Sequence, residues 1–183
     1  SESLRVAAVD LNGQLRGKRV PKNQSGKQMR MPLSVLNIDV FGADIEHSPL
    51  VFDSGDQDGV MVPAGRDLIP LPWVAGAAEL DLRVMHNEDG SPFEGDPRIA
   101  LSNVLDRYAR QGWQVIAACE LEFFLLEDGG NLVPPVNPKT GRRLTGTEIL
   151  SLRELDGFDL FFNDITNGAK LMGLGDLTIT TEA

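Results

Sequence analysis

Two glutamates stand one residue apart in an otherwise apolar run, residues 119–126, with the sequence CELEFFLL. In a β-strand, residues i and i+2 lie on one face, with Cβ atoms roughly 6.5 to 7 Å apart. Glu120 and Glu122 would therefore share a face. Two carboxylates partly removed from water stay ionised only where cations compensate, and all-oxygen ligands favour magnesium or manganese over zinc. The alternative is an amphipathic edge strand with two hydrated glutamates.

A third glutamate, Glu182, closes another strand-like segment, residues 176–182, with the sequence DLTITTE. A parallel or neighbouring strand could bring its carboxylate beside those of Glu120 and Glu122. We therefore expect the three side chains to point into one cleft. The alternative is a solvated residue near a chain end.

The polar loop at residues 53–59, DSGDQDG, crowds three carboxylates, those of Asp53, Asp56 and Asp58. It does not fit a calcium EF-hand, because position one would be Ser54 and position twelve Gly65 instead of a bidentate glutamate. A solvated turn explains the loop without any ligand. The alternative is a loop that presents carboxylates to a cationic or amine ligand.

Other catalytic signatures are missing from the sequence. Residues 141–147 have the glycine spacing of a phosphate loop but carry threonine where lysine is needed. The chain has two histidines and one cysteine, without an HExxH, CxxC or GxSxG pattern. The apolar flanks of Cys119 predict a buried, inert thiol. We assign no catalytic residue.

Composition limits the possible partners. The formal net charge of −10 and the pI of about 4.6 argue against nucleic acid and anionic membrane surfaces. The sequence contains no apolar run near the roughly 20 residues of a membrane span and no signal-peptide core, so we expect a cytoplasmic protein.

The first half of the chain, which must position the acidic loop, is predicted to be rich in β-structure. Strands are expected at residues 4–10 and 14–21, joined by a hairpin turn at Asn12-Gly13. Residues 77–86 alternate as a further strand, and residues 33–40 indicate either a strand or a short helix.

The second half is predicted to be α/β, with a domain boundary near residue 95. Asp96 and Pro97 can cap a helix that ends at Gly112. Further elements are expected as follows: a strand or strand pair at 113–126, helices at about 147–156 and 158–172, and a strand at 176–182. The fold class is thus α+β or mixed α/β, with domains at 1–95 and 96–183.

Five segments, in order, resemble the glutamine synthetase family, and together they cover nearly the whole chain. The ELEFFLLE run resembles the strand in which glutamate-x-glutamate-phenylalanine supplies metal ligands. Residues 12–21 resemble the family's N-terminal hairpin, and residues 67–73 resemble the exit from its acidic loop. Residues 90–98 resemble the entry to the catalytic domain, and residues 178–182 resemble a strand that ends in a metal-binding glutamate.

The resemblance implies a β-grasp-like N-terminal domain followed by the start of an α/β catalytic domain. It also implies an ATP-dependent γ-glutamyl ligase that joins glutamate to ammonia or an amine through γ-glutamyl phosphate. Glu120, Glu122 and Glu182 would be ligands of Mg²⁺ or Mn²⁺, which neutralise nucleotide phosphates during phosphoryl transfer.

The same resemblance gives the acidic loop a role between subunits. In the family, this loop reaches a neighbouring subunit's active site and helps hold the ammonium or amine, within a ring-shaped homo-oligomer. Residues 54–59 are more similar to the GDxDG version of glutamylpolyamine synthetase-like members than to the DGSS version of ammonia-using enzymes. Which of Asp53, Asp56 and Asp58 contacts the amine stays open.

One departure from the family is large. Its chains run to more than twice this length, and a glycine-glutamine-x-glutamate run, a metal-binding histidine and substrate-binding arginines are expected beyond Glu182. The resemblance therefore predicts a truncated fragment that is inactive by itself. Two alternatives remain: a non-catalytic regulatory or scaffold protein, and an α/β domain without a site.

Overall fold

The structure of the chain is a computed structural model that describes residues 3–76 and 78–182. Packing divides the chain into two compact units, Ser1–Ile116 and Ala117–Ala183, which we call the N-unit and the C-unit. All the described strands lie in the N-unit, whereas helices occur in both units. The fold is therefore mixed α and β, as predicted.

The N-unit is built on one sheet. Its described strands are β1 (Ser3–Val9), β2 (Leu15–Pro21), β3 (Met29–Pro32), β4 (Asp58–Pro63), β5 (Ile69–Leu71) and β6 (Ala78–His86). The strand order is β2-β1-β6-β4-β3, and β5 also pairs with β6. The β1–β6 pair is parallel and the other pairs are antiparallel.

The predicted hairpin turn between β1 and β2 is confirmed. Gly13 has a φ of 76°, which glycine adopts at little cost, and its N–H donates to the Asp10 carbonyl at 3.0 Å. The buried Asp10 carboxylate accepts from the N–H groups of Asn12 and Gln14 and from Arg16 Nε, at 2.7–2.8 Å. Burial opposes ionisation of Asp10, but these hydrogen bonds and the Arg16 charge lower its pKa.

The core of the N-unit follows from strand alternation. Leu4, Val6 and Ala8 of β1 point to one face and are fully buried. They pack with residues from the neighbouring strands and loops, namely Met31, Leu33, Leu36, Met61, Met85 and Phe93. Each large apolar side chain buried in this way stabilises the fold by roughly 1.5 to 3 kcal/mol.

Two short helical turns connect this core to the acidic loop. The segment predicted as a strand or short helix forms a 3₁₀ helix, Leu33–Leu36, whose Leu33, Ser34 and Leu36 are buried. Helix α1 (Pro49–Phe52) immediately precedes the acidic loop. Strand β4 then begins at Asp58, so the loop is held between regular elements at both ends.

Helix α2 (Pro97–Ala109) begins where the sequence predicts. The fully buried Asp96 accepts from the Arg98 N–H at 2.8 Å as the N-cap. Its other carboxylate oxygen accepts from the Met85 N–H of β6 at 2.7 Å. The helix start is thereby fixed to the sheet. Gly112, with a φ of 75°, lies just beyond the helix end.

The C-unit contains α3 (Leu152–Gly157) and α4 (Asp159–Leu171). Helix α4 agrees with its prediction, but α3 begins later than expected, because Ser151 and not Thr147 is its N-cap. Glu148 explains the difference: its carboxylate accepts from the N–H groups of Thr145, Gly146 and Thr147, which closes a turn before the helix.

The strands predicted at 113–126 and 176–182 are wrong. Residues 114–126 belong to no strand and form no backbone hydrogen bond with the described part of the chain. Residues 174–180 likewise belong to no described ladder. Alternating apolar residues favour a strand, but a strand also needs a partner strand to complete its hydrogen bonds.

Candidate functional site

Glu120 and Glu122 both lie on an exposed segment of the C-unit without regular secondary structure. Their carboxylates make no hydrogen bond or ion pair with any residue that the structure describes. The apolar neighbours are also largely outside a core: Leu121 is 87% exposed and Phe124 is 88% exposed. Phe123 alone makes an aromatic contact, edge-on to Phe161 with ring centroids 6.1 Å apart.

Cys119, at the head of this segment, is exposed. The prediction of a buried, inert thiol is therefore wrong. The apolar residues that flank it belong to a segment without a sheet around it, so they do not shield the sulfur.

Glu182 is exposed too, but the residue before it is firmly held. The Thr181 hydroxyl donates to the Glu148 carbonyl at 2.6 Å and accepts from the Ser151 N–H at 2.9 Å. The Thr181 carbonyl also accepts from the Leu150 N–H at 2.8 Å. The backbone leading into Glu182 is therefore fixed to the turn before α3.

The turn that anchors Thr181 is closed by hydrogen bonds to the Glu148 carboxylate. The backbone N–H and the hydroxyl of Thr145 donate to the Glu148 carboxylate, as do the N–H groups of Gly146 and Thr147. Donors stabilise the ionised form, which lowers the pKa of Glu148 to about 2.

A metal site needs suitable donor atoms and several of them close together. Carboxylate oxygens are the donors that Mg²⁺ and Mn²⁺ prefer. Within residues 3–76 and 78–182, however, no three His, Cys, Asp or Glu side chains are grouped so that they could hold a metal ion. The carboxylate oxygens of Glu120, Glu122 and Glu182 suit a hard cation, but in this structure the three side chains are not grouped into one site. Their roles stay predictions.

The acidic loop of the N-unit is better defined. Asp53 N–H donates to the Pro49 carbonyl at 3.2 Å and the Ser54 hydroxyl donates to the Leu50 carbonyl at 2.5 Å, which ties the loop to α1. On its other side, the Leu33 N–H donates to the Gln57 carbonyl at 3.1 Å. The loop is thus held by α1 and by the 3₁₀ helix.

The three aspartates of the loop are all exposed, but they differ in their partners. The Ser34 hydroxyl donates to Asp56 Oδ1 at 2.5 Å. The carboxylates of Asp53 and Asp58 have no hydrogen-bond or ion-pair partner among the described residues. Only a weak sequence signal could have indicated Ser34, namely a polar residue within the apolar run 31–36.

The sequence around the loop is strongly acidic. The stretch 39–65 contains six carboxylates and neither lysine nor arginine. Exposed apolar side chains accompany them, and Phe41 is 92% exposed. Six carboxylates without a lysine or arginine in the same stretch favour a negative potential that attracts cationic ligands.

Comparison with known proteins identifies the family. Residues 94–183 match the family model for the glutamine synthetase catalytic domain. Gamma-glutamylputrescine synthetase PuuA of Escherichia coli (strain K12) is 34% identical over 173 residues, covering 91% of this chain. The chain belongs to the glutamine synthetase family. The glutamate–isopropylamine ligase of Pseudomonas sp is 29% identical over 133 residues, covering 69% of this chain.

Solved structures agree on the fold. A novel glutamine synthase homolog superimposes with a TM-score of 0.76 at 22% identity, over 99% of this chain and 41% of the other. GmaS without ligand gives a TM-score of 0.66 at 22% identity, over 99% of this chain and 39% of the GmaS chain. This glutamine synthetase family chain spans 37% of the length of PuuA and 29% of that of the isopropylamine ligase.

Two criteria place the domain boundary differently. The family-model match begins at residue 94, whereas packing divides the chain after Ile116. The two criteria differ, so the domain boundary near residue 95 stays a prediction. Among the described residues, no helix is both long and apolar enough to cross a membrane.

Proposed function

We propose that this chain is part of an ATP-dependent γ-glutamyl ligase whose acceptor is a polyamine-like amine. The observation that carries the choice of amine is the acidic loop, which lies in a stretch of six carboxylates without a lysine or arginine. The relative PuuA is named a gamma-glutamylputrescine synthetase. A cationic diamine gains more from such a surface than ammonia does, because it carries two separated charges.

The proposed reaction has two steps. A γ-carboxylate oxygen of glutamate attacks the γ-phosphorus of ATP, and ADP leaves. The amine nitrogen then attacks the γ-carbonyl carbon, the bond to phosphate breaks, and the amine loses a proton. In this scheme the acidic loop binds the amine as its ammonium form and orients it towards the acyl phosphate. Before the attack, the bound ammonium gives up one proton to a carboxylate or to water, because only the neutral nitrogen has a lone pair.

The remaining assignments belong to the same proposal. Residues 1–95 form a β-grasp-like domain, and the acidic loop enters a neighbouring subunit's site within a ring-shaped homo-oligomer. Glu120, Glu122 and Glu182 bind Mg²⁺ or Mn²⁺ once they are gathered, and the enzyme works in the cytoplasm. We propose that the 183-residue chain alone is inactive, because its three candidate ligands are not grouped.

The test is amine-dependent phosphate release by the complete gene product that contains this chain. ATP, glutamate and Mg²⁺ are supplied with putrescine, spermidine, isopropylamine or ammonia in parallel. We expect the diamine or polyamine to give the highest kcat/KM, and no turnover from the 183-residue chain. Highest activity with ammonia would remove the polyamine assignment. Absence of phosphate release with every amine would favour the regulatory or scaffold alternative.

A further inference from the structure

We propose that Arg5 of β1 and Arg19 of β2 form a binding site for a small oxyanion, the phosphate or carboxylate group of a soluble ligand. The two arginines lie opposite each other in the β1–β2 pair. The inference goes beyond the proposed ligase and does not depend on it, because the ligase reaction gives neither arginine a role.

The first argument is a guanidinium nitrogen of Arg5 that is buried without a partner. Among the residues that the structure describes, Arg5 Nη1 is the only buried side-chain nitrogen or oxygen that lacks a hydrogen bond. Buried polar atoms nearly always have a partner, and an orphaned one indicates an ion, a water or a ligand. A guanidinium only donates and stays charged at ordinary pH. An anion therefore satisfies both its hydrogen bonds and its charge.

The second argument is the residue opposite. Directly opposite residues in an antiparallel pair share a face of the sheet, with Cβ atoms about 4.5 to 5.5 Å apart. Arg5 and Arg19 are such a pair, and like charges in this arrangement repel. Neither guanidinium has an ion pair with any described residue. The pair is unfavourable by itself, but it becomes favourable when an anion lies between the two groups.

The third argument is that Arg19 differs from the other basic residues around it. The other cations of the segment 15–22 each have an acceptor within the protein: Arg16 contacts Asp10, Lys18 contacts the Arg30 carbonyl, and Lys22 contacts Glu79. Within the described part of the chain, Arg19 is the one cation of this segment without such a partner. Its charge thus remains available for a ligand.

Strand β6 gives Arg5 an apolar neighbour and no free carboxylate. Leu80 lies opposite Arg5 in the parallel β1–β6 pair and is 5% exposed. The carboxylates before and after it in the sequence are already paired, Glu79 with Lys22 and Asp81 with Arg83. An apolar neighbour keeps water from one side of the guanidinium, which strengthens its attraction for an anion.

The geometry and charge of the arginines indicate the class of ligand. A guanidinium presents parallel N–H groups that match the oxygens of a carboxylate or a phosphate. Two arginines together suit a phosphate group, whose charge at pH 7 is about −1.5 to −2. A small ligand is favoured over nucleic acid or an anionic membrane, because the net charge of the chain is −10 and repels an extended polyanion.

The binding test uses the complete gene product that contains this chain, without ATP or glutamate. Inorganic phosphate and acetate are titrated separately by calorimetry, at an ionic strength held constant with chloride. A hydrogen bond to a charged group corresponds to about tenfold or more in an equilibrium constant. We therefore expect R5M and R19Q each to weaken binding of the preferred anion at least tenfold. The matched control is R107Q, which removes an exposed arginine of α2 without a described ion pair.

Comparison among the variants isolates this site from others. Phosphate bound at the proposed reaction centre is common to all variants, so the differences between them report on Arg5 and Arg19. Tighter binding of phosphate assigns a phosphate-bearing ligand, and tighter binding of acetate assigns a carboxylate. Equal anion affinity in R5M, R19Q and R107Q would overturn the proposal. Absence of ligase activity would remove the proposed function only, because no turnover is measured here.

A stability measurement tests the premise that the protein supplies no partner for Arg5. R5M keeps most of the side chain's length but removes its charge. In chloride buffer, R5M should unfold at the same temperature as the unchanged protein or higher, since a repulsive pair is removed. The matched control is R83M, which leaves the buried Asp81 unpaired and should lower the unfolding temperature. An equal loss of stability in R5M would show that Arg5 has an internal partner and would overturn the site.

Discussion

The N-unit and the C-unit use their apolar residues very differently. Among the described residues, every buried hydrophobic side chain except Ala169 lies in the N-unit. Both units expose large apolar side chains, such as Phe41 in the N-unit and Leu121 and Leu160 in the C-unit, but among the described residues only the N-unit also buries a cluster of them. The difference shows that apolar pattern alone does not make a core. In the N-unit, the strands that share the pattern also find one another as hydrogen-bonding partners.

Truncating one leucine in each unit tests this difference most directly. Leu4 is fully buried, so Leu4→Ala should lower the free energy of unfolding by about 2 to 5 kcal/mol. Leu121 is 87% exposed, and Leu121→Ala should change it by less than about 0.5 kcal/mol. Urea unfolding followed by circular dichroism measures both.

Leu15→Ala is the control within the N-unit, because Leu15 lies on β2 yet is half exposed. Equal destabilisation by the Leu4 and Leu121 substitutions would contradict the contrast between the units.

The helix caps provide a second comparison. Asp96 is buried and caps α2 while it also accepts from the Met85 N–H of β6. Asp96→Ala leaves a buried N–H without a partner and should cost about 2 to 4 kcal/mol. Ser151 caps α3 through a long bond of 3.4 Å, and Ser151→Ala should cost at most about 1 kcal/mol. Denaturant titration of both variants tests the ranking, with Asp96→Asn as the variant that keeps an acceptor.

Much of the N-unit can be predicted from sequence because its signals are local. The Asn12-Gly13 turn joins β1 to β2, and Asp96 with Pro97 opens α2, all within a few residues. The parallel pairing of β1 with β6 is not local, since Leu4 lies opposite Glu79. No turn signal indicates such a crossover, so the strand order required the structure.

The C-unit shows where sequence reasoning fails. Residues 113–126 have the composition of a buried strand, but a ladder partner is a property of another segment and cannot be predicted from the segment itself. The same limit applies to the site. Composition located Asp53, Asp56 and Asp58, whereas the contact of Asp56 with Ser34 joins residues 22 positions apart. That contact depends on β3 pairing with β4, which brings the 3₁₀ helix beside the loop.

Acid pH should loosen one particular turn of the C-unit. The pKa of Glu148 is lowered to about 2 from an ordinary value of 4.5. A lowered pKa in the folded state means that ionised Glu148 stabilises the fold above pH 4.5, and that this contribution is lost as pH falls towards 2. NMR titration of the Glu148 carboxyl should give a midpoint near 2. Glu148→Gln should remove this pH dependence, whereas a midpoint near 4.5 would show that the turn is not closed.

Alkylation of the single cysteine probes the C-unit most directly, and of these changes it should affect stability least. Cys119 is exposed at the head of the segment that carries Glu120 and Glu122. A neutral alkylating reagent such as N-ethylmaleimide avoids repulsion from those carboxylates, so its rate reports accessibility of the thiolate. We expect the rate in native buffer to lie within about threefold of the rate in denaturant, because no opening step is required. Protection of Cys119 by tenfold or more would mean that the segment is covered in solution. The metal-ligand assignments of Glu120 and Glu122 would then rest on a buried strand, which is the arrangement that the sequence first indicated.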